Sequence, residues 1–205
     1  MSELVNAQSE ADDARERSFE DARWVADARR GDQDAFDRLV DRYQRRAVAV
    51  AYRLLGNAED ARDAAQDAFL RAYQNLATLE DPRRFGGWLM RIVTNLSLNL
   101  RRSRSRSAST ATDDVIAGEE ELRTPSGAML SAGAERPETA ELNSAIQAAI
   151  DALPEKQRVA LVLFSIEGIP QKDVAQIMNC TVELVKWNVF QARKALRRAL
   201  ADHLD

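Results

Sequence analysis

The sequence predicts an all-α protein of two small helical domains joined by a linker. Three observations lead there. Almost every segment with a clear period carries apolar residues three and four apart, and no run alternates apolar with polar as a half-buried strand does. Between Ser103 and Pro137 the periodicity stops, and Ser, Thr, Gly, Pro and charged residues take over, first basic and then acidic. Beyond it the helical period returns and runs almost to the C-terminus. The expected boundaries are an acidic extension over 1–22, a first domain over 23–104, a linker over 105–137 and a second domain over 138–205.

Each element has its own signals. Phe36, Leu39, Val40, Tyr43, Ala47, Val50, Ala51 and Leu54 form one stripe, ended by Gly56, after which Asn57 can cap the next helix. That helix carries Ala61, Ala64, Ala65, Ala68, Phe69, Ala72, Tyr73 and Leu76 inward. A loop containing Pro82 leads to a third helix, with Phe85, Trp88, Leu89, Ile92, Val93, Leu96 and Leu100 as its buried face. In the second domain, Leu142, Ala145, Ile146, Ala149, Ile150 and Leu153 make a helix that breaks at Pro154. A further apolar run from Val159 to Ile166 is stopped by Gly168 and Pro170. A short helix from Gln171 to Met178, the break Asn179-Cys180-Thr181 and a long helix from Val182 to about His203 spell a helix-turn-helix. Ala175 is small enough for a close helix crossing, Asn179 tolerates a left-handed cap, and Thr181 can cap the second helix.

Composition narrows the function. With 45% apolar residues in 205, the chain can build cores, and its apolar runs fall short of the roughly 20 residues needed to span a bilayer. The acidic N-terminus lacks the features of a signal peptide, so a cytoplasmic protein with no membrane insertion is expected. One cysteine, Cys180, and one histidine, His203, support neither an internal disulfide nor a zinc site, and no metal or other cofactor is expected. The net charge of -4 conceals segregation: seven arginines and no acid lie between Arg83 and Arg106, and five basic residues and no acid between Lys186 and Arg198.

Three faces follow from helical spacing. Arg91, Asn95, Asn99 and Arg102 share a strip opposite the apolar stripe of the third helix. Guanidiniums and amides there suit phosphates and base edges, whereas Glu or Lys would serve a merely solvated face at less cost to the helix. On the second helix, Asp63, Gln66, Asp67, Leu70 and Gln74 mix charge, amide and an exposed leucine, a surface that suits a protein partner or plain solvent equally. The last helix turns Val185, Val189, Ala192, Leu196 and Leu200 inward and Trp187, Phe190, Gln191, Lys194 and Arg198 outward. A basic, aromatic-bearing second helix of a helix-turn-helix fits a major groove.

With these faces laid out, the chain resembles the extracytoplasmic-function sigma factors, in particular the envelope-stress sigma E type. In the first domain the resemblance rests on "GDQDAFDRLVDRYQ", "RDAAQDAFLRAYQNL" and "WLMRIVTNLSLN", in the second on "ALPEKQRVALVL" and "QKDVAQIMNCTVELVKWNVFQARKAL". It implies an RNA polymerase core as partner, met at the clamp helices of the largest subunit and at the flap. Asp63, Gln66 and Asp67 match the family's Asp-x-x-Gln-Glu pattern for the clamp contact, with Leu70 and Gln74 on the same strip. It implies that the loop of Thr78, Leu79, Glu80, Asp81, Pro82 and Arg83, with Arg91, Asn95, Asn99 and Arg102, opens the minus-ten element and holds an extruded base of the single strand. Lys186, Trp187, Asn188, Gln191, Lys194 and Arg198 are then expected on the minus-thirty-five duplex. The family also implies an anti-sigma partner.

Two departures stand out. Where many relatives have Thr-Val-Lys-Ser-Arg at the start of the recognition helix, this chain has Leu184-Val185-Lys186-Trp187-Asn188, and Pro170 replaces a common Ser cap. A different minus-thirty-five sequence is therefore expected. The rival reading is a free-standing helix-turn-helix regulator with a sensing or dimerising first domain, which would require dimeric binding to paired half-sites. An enzyme is not expected, because no Gly-rich phosphate loop, His-containing dyad or nucleophile with its base is present.

Overall fold

A computed structural model describes residues 2–110 and 137–201, and every regular element among them is helical. Eight helices are described: α1 (Ser2–Arg29), α2 (Gln33–Leu55), α3 (Ala58–Gln74), α4 (Phe85–Thr110), α5 (Pro137–Asp151), α6 (Glu155–Ala160), α7 (Gln171–Met178) and α8 (Val182–Ala199). Short 3-10 turns at Leu76–Thr78 and Pro82–Arg84 connect α3 to α4, and a π-helical turn, Leu161–Ile166, prolongs α6.

The helix ends follow local chemistry. Asp32 and Asn57 cap α2 and α3 by accepting from Ala35 N and Asp60 N, so two otherwise unpaired amides are satisfied. Gly56 ends α2 in the left-handed region at φ 71°. A Cβ at that position would lie 2.8 Å from Asp151 Oδ2, so a side chain there would be strained in conformation and would have to displace that carboxylate.

α2, α3 and α4 pack on one another through Leu39, Val50, Leu54, Ala65, Ala68, Phe85, Leu89 and Val93, all nearly or fully buried. Each large side chain among them contributes about 1.5–3 kcal/mol by leaving water. Alanines on α3 keep its axis close to its neighbours. α4 hides two hydroxyls, Thr94 and Ser97, which satisfy themselves by donating to Met90 O and Val93 O one turn back. Tyr73, expected inward, is 46% exposed: it meets Phe36 edge-on at 4.9 Å between centroids while much of its ring faces solvent. Leu76 is buried as expected, but in the 3-10 turn beyond α3.

α1 joins the first helical group. Its Val25 and Ala28 are buried, and Asp21 is 2% exposed, accepting from Arg42 Nη1 at 2.8 Å and from the Tyr43 hydroxyl at 2.5 Å. Arg42 also stacks over Trp24, 4.1 Å from the ring centroid. Burial, reinforced by the bond to Asp21, pushes the Tyr43 phenol well above its usual range. The boundary expected between residues 22 and 23 falls inside α1, and the start expected for the linker at 105 falls inside α4. The remainder of that segment, 111–136, and the end of the chain with His203 lie outside the described residues.

In the second group, Val159, Leu163, Val174, Val185 and Val189 build the core between α6, α7 and α8. Arg158 is buried within it at 4% exposure. Its guanidinium donates to Ile150 O, Asp151 O and Leu153 O at 2.9, 2.6 and 2.7 Å, satisfying the carbonyls at the end of α5. Burial, and secondarily the nearby Arg101, holds its pKa below the usual guanidinium value.

Candidate polymerase and nucleic-acid interfaces

The α3 strip forms as expected. Asp63, Gln66, Asp67, Leu70 and Gln74 are all exposed, Leu70 by 54%, and Tyr73 borders them. Alanines on the opposite face press against α2 and α4, which fixes the strip's outward direction.

The strip on α4 is also exposed at Arg91, Asn95 and Asn99, and these three side chains make no hydrogen bond or ion pair among the described residues. Arg102 differs, because its Nη2 donates to Glu155 Oε1 at 2.7 Å. Next to this strip runs the loop from Thr78 to Arg83. Thr78 donates to Asn75 O at 2.8 Å, and the Asp81 carboxylate accepts from both the backbone and the side chain of Arg83 at 3.1 Å. Those bonds, the side-chain one foremost, hold Asp81 below the usual carboxylate range. Leu79 is 5% exposed, so it anchors the loop while Thr78, Glu80 and Arg83 face outward and Asp81 and Pro82 are half-buried. The loop, Arg91 and Trp88 line one side of a cleft of about 990 Å³; Glu167, Pro170 and Asp173 line the other.

The helix-turn-helix has the predicted geometry. Asn179 sits in the left-handed region at φ 50°, and Thr181 Oγ1 accepts from Leu184 N at 3.3 Å to cap α8. Lys186, Trp187, Phe190, Lys194 and Arg198 face outward, Trp187 by 52% and Phe190 by 63%, while Gln191 is half-buried. Asn188 corrects the sequence reading. It is 2% exposed and its amide donates to Leu184 O at 2.8 Å, so it supports α8 from within and offers no edge to a groove.

Sequence reasoning did not foresee the ion pairs between the two helical groups. Arg46 pairs with Glu167 at 3.0 Å, Arg84 with Asp173 at 2.6 Å, Arg101 with Asp151 at 3.1 Å and Arg102 with Glu155 at 2.7 Å. Up to 121 positions separate the partners in the chain, beyond the reach of any local spacing rule. Among the described residues, no group of His, Cys, Asp and Glu is arranged to hold a metal ion, and no helix is long and apolar enough to cross a membrane.

A helix-turn-helix with a basic outer face and a separate helical module with its own unpartnered Arg and Asn strip define a two-module nucleic-acid-binding protein. Comparison with known proteins gives the class its family. Residues 39–107 match Sigma-70 region 2 and residues 143–196 match Sigma-70, region 4. The chain is 37% identical to the ECF RNA polymerase sigma factor SigW of Bacillus subtilis over 182 residues, 87% of this chain and 95% of that one. It is 31% identical to the ECF RNA polymerase sigma-E factor of Escherichia coli over 180 residues, 84% of this chain and 90% of that one. The solved structure of CnrH in complex with the cytosolic domain of CnrY superposes with a TM-score of 0.65 at 25% identity, covering 89% of this chain and 98% of CnrH. The chain therefore belongs to the sigma-70 family, among its extracytoplasmic-function members. Its function is that of a sigma factor: it binds RNA polymerase core and directs promoter-specific initiation of transcription.

Proposed function

We propose that the three exposed faces divide this work. The α3 strip, Asp63, Gln66, Asp67, Leu70 and Gln74, docks on the polymerase clamp helices. The loop 78–83 with Arg91, Asn95, Asn99 and Arg102 opens the minus-ten element, and the outer face of α8, led by Lys186, Trp187, Gln191, Lys194 and Arg198, binds the minus-thirty-five duplex. The observation that carries this reading is the unpartnered row Arg91, Asn95 and Asn99 beside the loop. Amides and a guanidinium without partners among the described residues, on a rigid helix, can pair with base edges and phosphates, and so offset the few kcal/mol that base extrusion costs.

The protein itself carries out no bond chemistry in this scheme, since the polymerase supplies it, and the site of action is the cytoplasm, where polymerase and chromosome meet. An anti-sigma partner is part of the proposal, supported by the likeness to CnrH, which was solved with the cytosolic domain of CnrY. In vitro transcription with core polymerase, with start sites mapped on genomic templates, tests the scheme. The expected outcome is initiation at discrete promoters that depends on this chain, and loss of initiation when the α4 row is replaced by alanine. Initiation unaffected by that replacement would refute the division of labour.

A further inference from the structure

Resting on the reading of the loop 78–83 as part of the minus-ten site, we infer that α1 sets the shape of that loop and that Arg29 and Ser18 are positioning residues for promoter opening. The side chains of the loop vary in what they touch, but two of its carbonyls, with that of Leu76 just before it, are held from one helix. Arg29 Nε and Nη2 both donate to Leu76 O, at 3.1 and 2.9 Å, and Nη2 also reaches Leu79 O. At the far end, Ser18 Oγ donates to Arg83 O at 3.0 Å. Ser18 and Arg29 are eleven residues apart, close to three helical turns, so they lie on one face and span roughly 16 Å of helix axis. α1 thus grips the loop at both ends, across about the length of the loop's own turn.

The grip works because α1 is itself fixed. Asp21, on the same side as Ser18, is buried and bound by Arg42 and Tyr43 of α2. The Tyr43 hydroxyl reaches the start of α4, where a Cβ on Gly86 would lie 2.6 Å from it. Loop, α1, α2 and the base of α4 are therefore one locked unit, and Thr78 and Glu80 face the cleft from a backbone whose carbonyls are tied to α1, with Ser18 on the cleft wall as well. A pocket that receives an extruded base gains from being formed in advance, because ordering the loop then costs nothing at the moment of opening. A planar guanidinium can serve two carbonyls at once and an ammonium, a single point charge, does so poorly.

The test uses the full chain with core polymerase on a promoter mapped in vitro, comparing wild type with Arg29→Ala, Arg29→Lys and Ser18→Ala. Core binding should be unchanged. Opening, read by permanganate reactivity of unpaired thymines, should slow about tenfold in Arg29→Ala, the factor carried by about one charge-assisted hydrogen bond, with Arg29→Lys between the two. The decisive readout is the ratio of opening rates on the native minus-ten element and on its single-base variants. That ratio does not depend on the fraction of active protein, so a merely structural loss leaves it unchanged, whereas a misplaced loop flattens it. Ser18→Ala, an outer substitution that leaves α1 intact, should flatten it more weakly. Arg91→Ala and Asn95→Ala are measured alongside. If they impair opening and the α1 variants keep both rate and ratio, the inference about α1 is overturned alone; if they too are without effect, the reading of the minus-ten site falls and the inference falls with it.

Discussion

Arg101 of α4 reaches Asp151 at the end of α5, with Nη1 3.1 Å from Oδ1, while the same nitrogen donates to Leu54 O at 2.7 Å. One guanidinium thereby ties the C-terminal turn of α2 to the second helical group. Gln147 steadies Asp151 from within α5 by donating to its Oδ2 at 3.2 Å and crosses the seam to Arg53 O at 3.5 Å, and the absent side chain of Gly56 leaves room for that carboxylate.

Further ion pairs cross the seam from Arg46, Arg84 and Arg102. Partly exposed pairs of this kind are worth about 0–1 kcal/mol each and weaken with salt. The radius of gyration of the free protein is therefore expected to rise between about 0.05 M and about 0.5 M salt, and Asp151→Arg should show the larger value already at the lower concentration. Scattering curves that coincide for wild type and variant at both concentrations would show that the seam does not hold the groups together.

Asp67→Arg, alone or with Gln66→Ala, puts a cation on the α3 strip proposed to meet the polymerase. Both positions are exposed, so the fold should be unaffected. Weaker capture by core polymerase, with DNA contacts little changed, is the expected result, and undiminished capture would remove α3 from the interface.

Asn95→Ala and Asn99→Ala should leave the closed complex nearly intact and reduce strand opening, each by about 1–3 kcal/mol, the usual worth of a good base-edge contact. Neither amide has a partner to lose among the described residues, so melting temperature should hold. Thymine reactivity in the opened region is the measurement, and normal opening in both variants contradicts the proposed pocket.

Arg158→Leu tests a side chain that supports the second group from inside. Leu153 O loses its donor, while Ile150 O keeps the bond from Leu153 N at 3.1 Å and Asp151 O a long one from Arg101 Nη2 at 3.5 Å, and a buried polar group left unpaired costs about 1–3 kcal/mol. A loss of about 1–3 kcal/mol in unfolding free energy is expected by denaturant titration of the full chain. A loss below about 1 kcal/mol would mean that water replaces the guanidinium freely.

Where apolar packing and capping decide the outcome, the sequence was readable. The stripe from Phe36 to Leu54, the Gly56 stop, the Asn57 and Thr181 caps and the left-handed Asn179 all express rules that act within one or two turns. Asn188 was expected on DNA through the family resemblance alone, yet it stands three residues after Val185 and four before Ala192, on the shoulder of the buried seam, where its amide can bond one turn back. α1 was underrated for a related reason. Its strongest attachments, Asp21 to Arg42 and Tyr43 and Arg29 to the loop carbonyls, are polar and leave no apolar period to detect. The α3 and α4 strips were legible as exposed faces, but which cations would be occupied by acids of the other group depends on tertiary placement alone.

Trp187 carries the last prediction. The structure leaves 52% of this large ring exposed, beside Phe190 at 63%. A ring buried in the domain would cost about 3–5 kcal/mol on truncation, and this one does not lie inside the domain. Trp187→Ser should therefore change the melting temperature little while weakening or redirecting minus-thirty-five recognition, since a ring on the outer face of α8 can contact a thymine methyl or the sugar backbone. In the proposed scheme Lys186 and Lys194 on the same face supply phosphate contacts that are independent of sequence, so overall DNA affinity should fall less than promoter selectivity. Melting curves and promoter selection measured on the same variant separate the possibilities. A stable variant with altered promoter choice supports the assignment, a stable variant with unchanged choice removes Trp187 from the interface, and a large stability loss places the ring in the domain's packing.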